Sequence, residues 1–142
     1  MSEPDRVLTQ PVIPTARLVL RPFEPGDAPT VQKLAGERDI ADTTLNIERR
    51  FNQAELGYWI GKPFWNRGYA TEAAIAVIRF GFASLDLNRI ASRHFSRNPA
   101  SGRVMQKAGL RHEGTARQSM IKWGKYEDLQ LYAILREDWS GP

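Results

Sequence analysis

The stretch that most restricts how this chain can fold runs from Ala54 to Phe95. AELGYWI (54–60) is short, and its aromatics and Ile60 favour an extended strand. TEAAIAVIRFGFASL (71–85) then carries Ile75, Ile78, Phe82 and Leu85 at spacings of three and four, the stripe of a helix packed on a sheet. NRIASRHF (88–95) returns to a strand pattern. Strand, helix and strand in this order predict a crossover whose two strands are parallel. At the junction of the first strand and the helix stands FWNRGYATEA (64–73), with Gly68 beside Arg67 and two small residues. An ordinary tight turn and an anion seat are both compatible with it.

The flanking sequence attaches simpler elements to this unit. Residues 1–14, with Pro4, Pro11 and Pro14, read as a loose arm, and ARLVLRPF (16–23) as a short strand stopped by Pro22. Asp27 is placed to cap a helix over Ala28–Leu34, while Gly36 to Gln53 is polar and irregular. Thr71 is placed to cap the central helix, and Glu72 suits the positive end of its dipole. In NPASGRVMQKAG, Asn98 is a helix cap, Pro99 the first helical residue and Gly109 the stop. EGTARQSMIK (113–122) and YEDLQLYAIL (126–135) form a hairpin about Trp123–Lys125, with Leu129, Leu131, Ala133 and Leu135 on one face. The prediction is an α/β (α+β) fold with a mixed sheet, a parallel strand–helix–strand centre and an antiparallel C-terminal hairpin. A single domain spans 15–139.

Composition removes several chemistries. The 142 residues contain no cysteine, which excludes disulfides, thiolate metal sites and a cysteine nucleophile. With two histidines, His94 and His112, no zinc or other metal site is expected. No apolar run reaches membrane-span length and the N-terminus lacks a secretory core, so the simplest expectation is a cytoplasmic protein. The net charge of +4 favours anionic partners, but the basic residues are scattered, without an arginine-rich helix or an aromatic RNA-binding signature. A phosphate-bearing small molecule is a better match than nucleic acid.

Amides at a helix start point outward unpaired and, with the helix dipole, attract phosphate. Gly68 permits close approach, Ala70 keeps the wall small and Arg67 adds charge. No GK[ST] follows, and the loop is not GxGxxG, so triphosphate and dinucleotide seats are not indicated.

Taken together, ELGYWIGKPFWNRGYATEA, NPASGRVMQKAGL and KWGKYEDLQLYAIL resemble successive signatures of the GNAT N-acetyltransferases, most closely the RimJ/RimL type. ARLVLRPF resembles the opening strand, and the likeness then covers nearly everything from Ala54 to Trp139. The family loop [Q/R]-x-x-G-x-[G/A] is matched at Gly68 and Ala70, with Trp65 in its first position. The resemblance implies acetyl-CoA as co-substrate, transfer to a primary amine by direct attack, and a protein N-terminus as acceptor. Asn66, Arg67, Gly68, Tyr69, Ala70 and Thr71 would then contact the phosphates, and amides near Trp59 and Ile60 the thioester arm. Asn98 would hold that arm, and Ser101 would donate to the leaving thiolate. Glu55 is the general-base candidate, acting through water, with Asp128 and Glu127 behind it. His94 and His112 are expected to be structural or solvated.

One interval departs from the family. Roughly thirty residues separate Phe23 from Ala54, whereas two helices and two strands of average length need about thirty-three before any loop. The second and third family strands are therefore expected to be missing, with the chain shortened around 36–53. Strand 54–60 would then lose its antiparallel neighbour, unless Ala16–Phe23 or a second chain of a homodimer pairs with it. A non-catalytic CoA-binding or interaction module derived from a truncated acetyltransferase is the competing expectation.

Overall fold

The strand–helix–strand unit forms as expected and organises the rest of a computed structural model, whose described residues are 12–21, 42–59 and 68–141. In chain order these residues give β1 (Ile13–Pro14), β2 (Val19–Leu20), β3 (Asp42–Glu48), a 3-10 turn (Arg49–Phe51) and β4 (Gln53–Trp59). Then come α1 (Tyr69–Ala83), β5 (Arg89–Phe95), α2 (Pro99–Lys107), β6 (Arg111–Lys122), β7 (Lys125–Leu135) and a closing 3-10 turn (Arg136–Asp138). Strands β3 to β7 form a mixed five-stranded sheet of order β3-β4-β5-β7-β6. Only β4 and β5 are parallel in it, joined by α1. β1 and β2 make a separate two-stranded pair.

The expectation that β4 lacks an antiparallel neighbour is overturned. β3 pairs with it along its whole length, from Glu48↔Gln53 to Asp42↔Trp59. The tight return is made by Asn52, whose φ of 50° lies in the left-handed region that asparagine tolerates. Its side-chain amide donates to the Asp86 carbonyl at 2.9 Å. The structural ground for a dimer thereby disappears. The first of the two strands expected to be missing would fall in 22–41, outside the described residues, as does the helix expected over 28–34. The opening strand also differs: among the described residues of that segment, 16–21, only Val19–Leu20 is extended, and it pairs with Ile13–Pro14 instead of entering the main sheet. The arm expected to run loose to residue 14 is thus engaged from Ile13 onward.

Helix α1 begins earlier than its sequence signal, with Gly68 as N-cap at φ 76° and Thr71 inside the first turn. Its buried face is Ala73, Ala74, Ala76, Val77, Ile78, Gly81 and Phe82. Ile75, expected in the buried stripe, is exposed. Small residues on the inner face let the helix lie close to the sheet; a Cβ at Gly81 would stand 2.8 Å from Ile90. Among the described residues, Phe82, Leu56, Ile78, Leu87, Ile90 and Met105 are the largest fully buried side chains. Each contributes about 1.5–3 kcal/mol by leaving water.

In β7 the four leucine and alanine positions do alternate onto one face. It is nevertheless Tyr132 and Ile134, on the other face, that join the core under the helices. Helix α2 starts at Pro99 and ends before Gly109, whose φ of 98° reverses the chain while its amide closes on the Gln106 carbonyl at 3.0 Å. Asn98 occupies the cap position, but its side chain makes no capping hydrogen bond. The β6–β7 turn is closed by Trp123 and Gly124, both at positive φ.

Candidate functional site

Because β4 and β5 are parallel and each runs into a helix, the C-terminal ends of both strands and the N-terminal ends of α1 and α2 lie at one edge of the sheet. Open α/β sheets take ligands at this edge. Three features meet there: the start of α1, a gap between the two strands, and the start of α2.

The start of α1 is led by an exposed glycine. The first intrahelical bond is donated by Glu72 to the Gly68 carbonyl at 3.0 Å, and Gly68, the N-cap, has no side chain with which to cap the turn. The amides of Ala70 and Thr71 therefore face outward with the positive end of the dipole. A Cβ at Gly68 would lie 3.2 Å from a guanidinium nitrogen of Arg17. Arg17 comes from the β1–β2 hairpin, stacks over Tyr69 at 4.7 Å and pairs through Nε with Glu72 Oε1 at 2.9 Å. The Thr15 hydroxyl and the Arg17 amide donate to Glu72 Oε2 at 2.6 and 3.1 Å. This clamp answers the one carboxylate in the first turn of α1 and leaves a guanidinium beside Gly68.

Thr15 first, then Arg17, hold the Glu72 carboxyl below its ordinary value of 4.5. A depressed carboxylate stabilises the folded form above its ordinary value, and that contribution is lost as pH falls through the depressed one. The protection of amides across residues 13–20, relative to their intrinsic exchange rates, is accordingly expected to fall on acidification below pH 4.5. Glu72→Gln is expected to show the lower protection already at neutral pH and to remove the acid-dependent step.

The gap follows from where the parallel ladder ends. β4 and β5 pair at Gln53↔Arg89, Ala54↔Ile90 and Glu55↔Ala91, and no farther. Peptide groups along a strand alternate sides. The Asn52 and Leu56 carbonyls face β5, where they accept from the Asn88 amide at 2.8 Å and the Ser92 hydroxyl at 2.7 Å. By the same alternation the peptide of Tyr58 faces the gap and that of Trp59 faces β3. The amide expected near Trp59 is thus that of Tyr58. From β5, Arg93 turns its peptide toward the gap.

Ser101 is half-buried in the first turn of α2, and its amide donates to the Asn98 carbonyl at 3.2 Å. Glu55 lies at the last paired position of the ladder, but its carboxylate accepts from Arg93 Nε at 2.9 Å, with both side chains near half exposure. Ile60, Asn66 and Arg67 lie outside the described residues, as does Trp65. Glu127 is paired with Arg97 at 2.8 Å, and Asp128 accepts from the Gln118 amide at 2.7 Å, which ties down a bulge of β6. Both weaker base candidates thus hold the hairpin. His94 is buried; its Nδ1–H donates to the Phe95 carbonyl at 2.6 Å, and Gly102 of α2 approaches its ring so closely that a Cβ would be 2.7 Å from Nε2. Exposed His112 donates through Nε2 to Gln130 Oε1 at 2.7 Å.

Sequence reasoning missed Thr15, Arg17 and Ser92. Nothing local marks the first two, which reach the site from the other end of the chain. Ser92 carries a signal: it is a small polar residue between Ile90 and His94 on the inward face of β5.

A family model described as Acetyltransferase (GNAT) domain matches residues 37–111. YdaF of Bacillus subtilis (strain 168), a candidate ribosomal N-acetyltransferase, is 35% identical over 68% of this chain and 52% of its own length. The [Ribosomal protein uS5]-alanine N-acetyltransferase of Escherichia coli (strain K12) is 28% identical over 71% of this chain and 52% of its own length. Among solved structures, an acetyltransferase (GNAT family) from Bacillus anthracis aligns with a TM-score of 0.65 at 32% identity, over 69% of this chain and 59% of that one. The chain spans about half the length of the curated relatives it matches.

Proposed function

The chain belongs to the GNAT acetyltransferase family, and from that premise we propose that it transfers the acetyl group of acetyl-CoA to a primary amine by direct attack. The observation that carries this reading is the junction of two features. A helix start led by Gly68 at φ 76° stands beside a parallel strand pair whose ladder stops at Glu55↔Ala91. The first suits a diphosphate, because backbone amides and a dipole bind it and an added Cβ would fill the approach. The second suits an extended amide-bearing arm, because peptide groups on both walls lack ladder partners.

In this reading the amides of Gly68, Tyr69, Ala70 and Thr71 hold the diphosphate, with Asn66, Arg67 and the clamped Arg17 adding donors and charge. The end of β4 at Tyr58 and Trp59, with Ile60 after it, holds the arm and directs one amide at the thioester carbonyl. Asn98 steadies the arm from the start of α2. Ser101 donates a proton to the departing thiolate, and Glu55, through water, takes one from the attacking amine. The co-substrate supplies an activated acetyl group; the chain supplies position and proton transfer. The acceptor is a protein N-terminus, by analogy with the alanine acetylated by the Escherichia coli relative.

A non-catalytic CoA-binding module is the second reading, and the ion pair that occupies Glu55 favours it. Calorimetric titration with acetyl-CoA tests both. Binding is expected, weakened by Arg67→Ala; no heat at millimolar ligand would reject both. Release of free thiol upon adding a peptide with a free N-terminus then supports transfer, and its absence in a protein that binds acetyl-CoA supports the module. An unchanged rate in Glu55→Gln would remove that residue from the base role.

A further inference from the structure

If the gap between β4 and β5 holds the thioester arm, something must keep the two strands from zipping shut. On that reading of the site, we propose that Ser92 is the positioning residue that sets where the gap opens. In a parallel ladder each carbonyl facing the partner strand takes the amide one residue beyond its register mate. With Glu55 opposite Ala91, the next such carbonyl is that of Leu56, and its partner would be the Arg93 amide. That rung is absent from the pairing. The Ser92 hydroxyl takes the carbonyl instead, at 2.7 Å.

The location makes this substitution effective. Ser92 is 4% exposed and Leu56 2%, so an unpaired carbonyl here would cost about 1–3 kcal/mol. The hydroxyl removes that cost without drawing the strands together, and it leaves the Arg93 peptide facing the gap. Its neighbours on the inward face of β5, Ile90 and His94, are also buried. An apolar residue at 92 would serve the packing equally well, so the hydroxyl's contribution is the bond it donates. Without it, the donor that the ladder register offers Leu56 is the Arg93 amide. Using that donor closes one more rung and shortens the gap at its apex.

The test pairs Ser92→Ala with Ser92→Thr, which keeps the hydroxyl. Amide exchange of Arg93, followed by NMR in the free protein, reads the strand pairing directly, and acetyl-CoA affinity by calorimetry reads its consequence. In Ser92→Ala the Arg93 amide is expected to exchange roughly tenfold more slowly, and acetyl-CoA to bind roughly tenfold more weakly, the equivalent of one hydrogen bond. Ser92→Thr is expected to retain both native values. If turnover is detected, KM for acetyl-CoA should rise more than kcat falls. Unchanged Arg93 exchange in Ser92→Ala overturns the proposal, whatever happens to binding. Slower exchange in a chain that binds no acetyl-CoA would sustain the strand-parting role and reject the functional reading instead. Should the alanine variant fail to fold, the isosteric pair Ser92→Thr and Ser92→Val makes the same comparison.

Discussion

Gly68→Val is expected to weaken acetyl-CoA binding by about 100-fold or more, equivalent to roughly 2.7 kcal/mol. Three effects act together at this position. Its φ of 76° lies where a β-branched residue is strained. The new Cβ would press on the Arg17 guanidinium at 3.2 Å. The remaining methyls would project over the outward amides, which must come within hydrogen-bond distance of an anion. The fold should survive, since α1 is held by its opposite face, and far-UV circular dichroism checks this. Thr71→Val is the matched control, because it removes a hydroxyl but keeps the amide. Affinity is expected to change little there if the backbone does the binding. Native affinity in Gly68→Val would place the nucleotide elsewhere.

Phe82→Ala is expected to destabilise the protein by about 3–5 kcal/mol, a large share of the roughly 5–15 kcal/mol that typically holds a domain together. Phe82 is fully buried, and its ring meets Trp139 at 5.4 Å. Its carbonyl accepts two bonds from the Arg136 guanidinium, at 2.9 and 3.1 Å. The side chain thus joins the central helix and the core to Trp139 in the segment after β7, beside the backbone link to Arg136. Its removal leaves a cavity that these partners cannot easily collapse into. Urea unfolding monitored by circular dichroism measures the loss. Ile75→Ala, on the same helix but 40% exposed, should change stability by no more than about 0.5 kcal/mol. Equal costs at the two sites would contradict the helix orientation described above.

That pair of residues also shows where sequence reading succeeds and fails. The three-four spacing identified a helix between two strands, because the backbone period alone decides which positions share a face. It gives the wrong phase at Ile75, because a large apolar side chain does not by itself mark the inner face of a helix that lies close to a sheet. The inner face is instead built partly from Ala73, Ala74, Ala76 and Gly81, which allow close approach to the sheet. β3 was illegible for a related reason. DTTLNIE has only Leu45 and Ile47 as apolar residues, and its strand character comes from pairing with β4 and from the left-handed turn at Asn52.

The site divides the same way. Gly68 stands out because a glycine ahead of a helix has a local steric meaning, and Asn98 and Ser101 because they resemble the family's asparagine and serine beside the cofactor. The residues themselves therefore determined the central helix between two strands, its parallel crossover, the second helix and the C-terminal hairpin. The three-dimensional packing alone decided that Thr15 and Arg17 clamp Glu72, that Arg93 engages Glu55, and that Ser92 takes the Leu56 carbonyl. Short-range sterics fix which dihedral wells a segment visits. Which donors meet which acceptors from distant segments depends on how finished elements stack, and that is settled only when the core closes.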